Sequence, residues 1–112
     1  MSQLNLNMLT VYDGPALVPT EAVEAIKTYR EAVRTCWLLK RRTRMTRAQL
    51  AEETGCYPSH ITDYLSDNPD RRELPAKHIA AFEISCGNRC ITQWLAAQAH
   101  LTILETLIRK AA

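Results

Sequence analysis

The stretch "LKRRTRMTRAQLAEETGCYPSHITDYLSD", residues 39–67, decides the fold. Lys40, Arg41, Arg42, Arg44 and Arg47 crowd its first third. After them come a short helical pattern, one glycine and a second short helical pattern that opens with a proline. Thr46 is placed to cap a helix over 47–54, with Gln49 at the third position as in a capping box. Leu50 and Ala51 face inward. Gly55 ends that helix by taking a left-handed conformation at no steric cost. Pro58 suits the first turn of a third helix, about 58–66, with Ile61, Tyr64 and Leu65 on its buried side. Short helix, glycine, short helix is the helix-turn-helix plan. The small Ala51 lets the two helices cross closely, and Ile61 and Leu65 pin the second onto the first.

Working outward, the chain of 112 residues amounts to one domain. Net charge is only +2, so the local basic run says more about a polyanionic partner than the total does. Residues 1–19 hold Gly14, Pro15 and Pro19 and read as an N-terminal arm. Thr20 is expected to cap a long first helix running to about Leu39, with Glu21 and Glu24 in its first turn. Val23, Ile26, Val33 and Trp37 mark one side of it, and Tyr29, Cys36 and Leu39 an adjoining one. Residues 40–45 form the basic connector. "SDNPDRRELP" is a loop by composition. Pro75 starts a fourth helix, with Ile79, Phe82 and Cys86 inside and Gly87 as its stop. Asn88 is expected to cap a fifth helix that continues to about Arg109. Its face begins with Ile91, Trp94 and Leu95 and extends through Leu101, Leu104, Leu107 and Ile108. The fold class read from this pattern is all-α, with five helices. Residues 20–97 form the domain, and 98–112 an extension.

The stretch "MTRAQLAEETGCYPSHITDYL" resembles the lambda-repressor-like, or XRE-like, helix-turn-helix family. It shares the polar N-cap, Leu-Ala, Gly, and an Ile six residues past that Gly. The later "ELPAKHIAAFEISCGNRCITQWLA" is similar to small phage and prophage regulators of the Cro and CII kind. Together these cover about residues 28–97. The resemblance implies a double-stranded DNA operator as partner and a phage or prophage origin. It places base contacts at the start of the third helix, carried over as Pro58, Ser59, His60 and Asp63. Ser and His can bond to base edges, and Asp can accept from the cytosine amino group. Tyr57 stands where the family has a Ser or Thr cap, and an Asp63 that missed a base would repel phosphate.

Phosphate contacts are expected from Lys40, Arg41, Arg42, Arg44 and Arg47, and from Arg71, Arg72 and Lys77. Tyr57 and Thr62 would lie next to the backbone. Such contacts fix register without reading sequence and make binding salt-dependent. A single helix spans too few base pairs to select a site, so a homodimer is expected, with 98–112 as the dimerisation element. The other reading of 98–112 is that it folds back on the first helix of its own chain. RNA polymerase is a further candidate partner.

Cys86 and Cys90, with Cys36, Cys56 and His78, raise a zinc reading, because a three-residue gap is within ligand range. The Gly87–Asn88 break between them favours buried thiols instead. No metal or cofactor is expected. Without a phosphate-binding glycine loop or an HExxH, and with Glu52 and Glu53 on different sides of their helix, no enzyme is expected either. No apolar run is long enough for a membrane span and no signal peptide is read, so a bacterial cytoplasm is the expected compartment. The rival function is a protein-interaction module, antitoxin-like or antirepressor, that keeps the same helical fold.

Overall fold

The computed structural model describes residues 14–100. Over these residues it is an all-α globule of six α-helices and one 3-10 turn. The helices are α1 (Thr20–Glu24), α2 (Tyr29–Leu38), α3 (Arg47–Thr54), α4 (Pro58–Leu65), α5 (Ile79–Cys86) and α6 (Cys90–Ala99). The 3-10 turn, Ala76–His78, leads into α5. Among the described residues there is no strand, only a single parallel bridge between Ala16 and Asn88. No described helix is long and apolar enough to cross a membrane.

The central pair forms as its sequence dictates. The Thr46 side chain accepts from the Gln49 amide, and the Gln49 side chain accepts from the Thr46 amide, which closes a full capping box. Gly55 ends α3 at φ 73°, in the left-handed region. Pro58 occupies the first turn of α4. Leu50, Ile61, Phe82 and Ile91 are fully buried, and Val33, Ala51, Leu65 and Trp94 join them in one core. Helix α2 packs against α4, α5 and α6, while α3 packs against α4 and α5.

The single long helix expected over 20–39 is instead two helices. Thr20 is the first helical residue rather than the cap, which falls on Pro19 without a side-chain bond. Thr28 takes an extended conformation and caps α2 by accepting from the Glu31 amide. Glu31 reaches back to accept from the Lys27 amide at 3.1 Å, and Trp94 Nε1 donates to the Ile26 carbonyl at 3.0 Å. These bonds offset the break at residues 25–28: a helix end needs outside partners for its free backbone groups, and here it has them.

Two other boundaries differ. Asn88 is not the cap of α6, a position held by Arg89. Its side chain nonetheless accepts from the Cys90 amide at 3.1 Å and donates to the carbonyls of Cys36 (3.0 Å) and Leu39 (3.4 Å). Buried Asn88 thereby ties the end of α2 to the start of α6. Helix α6 stops at Ala99, because His100 is left-handed at φ 56°. A continuous helix from 88 to 109 is therefore excluded. Leu101, Leu104, Leu107 and Ile108, with the rest of 101–112 in the expected dimerisation element 98–112, and residues 1–13 of the arm lie outside the described residues. Leu39 and Leu95, expected on apolar faces, are 49% and 38% exposed.

Three polar side chains that look like surface residues are structural. Glu83 is fully buried and accepts from the Thr92 amide and hydroxyl at 2.7 and 2.6 Å. It meets the first turn of α6, where a carboxylate is favoured by free amides and the helix dipole. Arg41 donates from its backbone to the Cys86 carbonyl at 2.7 Å and from its guanidinium to Gly14 at 2.8 Å. It thus bolts the arm to the end of α5. The third, Arg30, shapes the candidate site.

Candidate nucleic-acid interface

Helix α4 is buried on one side by Ile61, Tyr64 and Leu65. At 100° per residue, Ser59 and Asp63 fall on the opposite side, with His60 and Thr62 flanking them. Tyr57, Pro58, Ser59 and Thr62 are exposed. Tyr57 meets the His60 ring edge-on, with centroids 5.1 Å apart. The first turn of α4 is thus a solvent-facing polar surface on a fixed backbone.

Arg30 fixes the other end of the helix. This α2 residue is 7% exposed, and its guanidinium donates to four backbone carbonyls. They are Asp63 at 2.8 Å, Ser66 at 3.0 Å, Arg72 at 3.2 Å and Arg71. Arg34 adds a bond to the Leu65 carbonyl at 3.2 Å. A planar fork with five donors suits this task, and cations are favoured where a helix leaves carbonyls unpaired. The end of α4 and the loop 66–75 are therefore held to α2 through backbone atoms.

Held in that position, the loop lays its arginines across α4. Arg72 Nε lies 2.9 Å from Asp63 Oδ2, and Arg71 Nη1 lies 3.6 Å from Asp63 Oδ1. Arg72 Nη1 is within hydrogen-bond distance of His60 Nε2. The structure brings together His60 and Asp63, expected to read bases, with Arg71 and Arg72, expected to grip phosphates. An open groove of about 560 Å³ adjoins them, lined by Tyr57, His60, Tyr64, Arg72, Lys77 and His78 among others.

The basic connector divides. Arg42 pairs with Glu53, one arm at 2.9 Å, and donates to the Ser85 carbonyl at 3.2 Å. The Arg42 bond, followed by one from Ser85, holds the Glu53 carboxyl below its usual range. Lys40 sits over the Trp37 ring at 4.2 Å. Arg44 and Arg47 are exposed and make no ion pair with a described residue. Of the five cations at 40–47, Arg41 and Arg42 bond to neighbouring parts of the protein, and Arg44 and Arg47 face solvent.

Of the four cysteines, Cys56 lines the open groove and the other three lie apart from it. Cys36, Cys86 and Cys90 are buried. A hydrogen bond with Cys86, and then burial, push the Cys36 thiol well above its ordinary value. Burial, aided by Glu83, raises Cys90 to about 11. Such thiols are poor nucleophiles at neutral pH. Among the described residues no three His, Cys, Asp or Glu side chains are grouped to hold a metal ion.

A scan of family models and searches of curated proteins and solved structures find no match for this chain.

One residue of the site and one pairing within it escape sequence reasoning. Arg30 reads as a surface arginine between the apolar Tyr29 and Ala32. Its position one turn before Arg34 is the one hint, because both donate to the end of α4 and the loop beyond it. Asp63 is expected from sequence as a base contact, but no local pattern ties it to arginines eight and nine residues away.

Proposed function

We propose that the chain is a sequence-specific, double-stranded DNA-binding transcriptional regulator built on a lambda-repressor-like helix-turn-helix, of phage or prophage derivation. The pair α3 and α4 is the motif, and α4 is the helix that enters the major groove. Arg44, Arg47 and Lys77 supply phosphate contacts, and Ser59 and Thr62 lie at the exposed start of the reading helix. Regulation follows from occupancy of an operator by a homodimer, which blocks RNA polymerase or recruits it.

The observation that carries this reading is α4 itself. Its inner face is buried against α2 and α3 and its last turn is held by Arg30, while its N-terminal turn presents Pro58 and Ser59 outward beside a half-buried His60. A recognition helix needs its reading end mounted rigidly in this way. The test is selection of bound sequences from random duplex DNA by the full chain. Recovery of one recurring site, in a pool that loses affinity steeply with salt, supports the reading. Recovery of no common sequence opposes it.

The protein-interaction alternative has its own support in Leu38, 72% exposed, and Ile84, 66% exposed. A gel shift against the DNA upstream of the chain's own gene separates the two, since an interaction module would leave that DNA unshifted.

A further inference from the structure

Resting on the DNA-binding reading, we propose that Arg72, from the loop after α4, is the group that reads a base. Its target is a guanine in the major groove, and Asp63 is its positioning residue.

Asp63 lies at the centre of the α4 face opposite Ile61, Tyr64 and Leu65, where a major-groove helix meets the bases. A bare carboxylate there would face the negative potential of DNA. Asp63 is not bare: its side chain is 18% exposed, covered by Arg72 at 2.9 Å and by Arg71 at 3.6 Å. One negative charge under two positive ones leaves the centre of the face with a net charge of +1.

Arg72 is held at two points and is still half exposed to solvent. Its Nε lies 2.9 Å from Asp63 Oδ2 as an ion pair and its Nη1 is within hydrogen-bond distance of the His60 ring nitrogen, while the side chain is 53% exposed. A planar guanidinium anchored in this way on an exposed helix face is the group that pairs with O6 and N7 of guanine. An arginine meant only for phosphate needs no such anchoring. The loop does not depend on the Arg72 side chain, because Arg30 holds the backbone carbonyls of Arg71 and Arg72. Substitutions at Arg72 therefore test recognition rather than folding.

The experiment repeats the selection from random duplex DNA with the full unmodified chain and with Arg72→Lys, Arg72→Gln and Asp63→Asn, each checked for unchanged helicity by circular dichroism. The unmodified chain should select a guanine at one position. Arg72→Lys keeps the charge but loses the fork. It should lower the preference there by roughly 5- to 150-fold and leave the other positions intact. Asp63→Asn should relax the same position, and the Asp63→Asn/Arg72→Lys double variant should be no less selective there than Arg72→Lys alone. If Arg72→Lys keeps every preference while Arg72→Gln weakens all duplexes equally, Arg72 is a phosphate contact and the assignment is overturned. Asp63→Asn acting at a different position would overturn it as well. An unmodified chain that selects nothing would sink the DNA-binding reading, and this assignment with it.

Discussion

The basic stretch at residues 40–47, which ends on the first residue of α3, and the loop at residues 66–75 are both short and basic, yet they use their arginines in different ways. The first ties two to neighbouring elements: Arg41 onto the carbonyls of Gly14 and Gly87, and Arg42, itself half exposed, onto Glu53. The loop turns both of its arginines across the exposed side of α4, and is itself held from beneath by buried Arg30. The difference lies in what each segment finds nearby. The connector leaves α2 beside the C-terminal carbonyls of α5, which need donors. The loop leaves α4 beside that helix's own exposed face, where the available acceptors are Asp63 and His60. A run of cations thus measures neither the charge offered to a ligand nor the strength of binding. Their partners decide.

The largest test of this contrast is Arg30→Ala. Removing a buried guanidinium strands carbonyls of Asp63, Ser66, Arg71 and Arg72, and should cost about 3–4 kcal/mol of stability. Arg30→Lys should recover little, since an ammonium cannot span the fork. Chemical denaturation measures both. A loss under about 1 kcal/mol would mean the loop holds itself in place.

Gly87→Ala probes the connector's inward side. Gly87 sits at φ 81°, and an added Cβ would come within 2.8 Å of the Arg41 Cβ. Left-handed strain alone costs about 1–2 kcal/mol, and displacement of Arg41 adds to it. A melting temperature unchanged from the parent would contradict that packing.

Arg44→Ala with Arg47→Ala probes the outward side. Stability should stay within about 0.5 kcal/mol of the parent. The slope of log affinity against log salt on duplex DNA should fall by about 1 for each phosphate that is no longer neutralised. The pair Arg41→Ala and Arg42→Ala should do the reverse, lowering stability more than slope. Equal changes in slope from both pairs would erase the distinction between the two sides.

The smallest effect is a pH dependence. The Glu53 carboxyl titrates below its unfolded value because Arg42 bonds to its charged form. Its contribution is therefore present above the unfolded carboxylate range and is lost as pH falls through the folded value. Glu53→Gln should flatten the acid limb of the stability curve slightly. A steeper limb would show that the pair works against folding.

The parts legible from sequence are those decided by neighbours a few residues apart. Thr46 with Gln49, Gly55 at the turn and Pro58 at the start of α4 are local devices, and each does what its residue type favours. The break before α2 is also written locally, in Thr28 and Glu31, but the helical spacing from Val23 through Ile26 to Val33 and Trp37 hides it. Periodicity cannot show a gap that keeps apolar residues in step. Arg30, Glu83 and Asn88 are illegible for another reason: Arg30 and Asn88 find partners some thirty to fifty residues away, and Glu83 finds them in the next helix. Burial of a polar side chain depends on that encounter, which composition does not encode. The same holds for the site. Ser59 at the start of α4 follows from helix phase, whereas the pairing of Asp63 with Arg72 needs the loop's path.

One measurement bears on the central claim most directly: an equilibrium titration of the full chain against a selected duplex and a scrambled duplex of equal length and composition, across a series of salt concentrations. The account predicts tighter binding to the selected duplex by about 10³-fold or more at physiological salt, with log affinity falling linearly against log salt on both. Equal affinity for the two duplexes, or no binding to either at low salt, would contradict it.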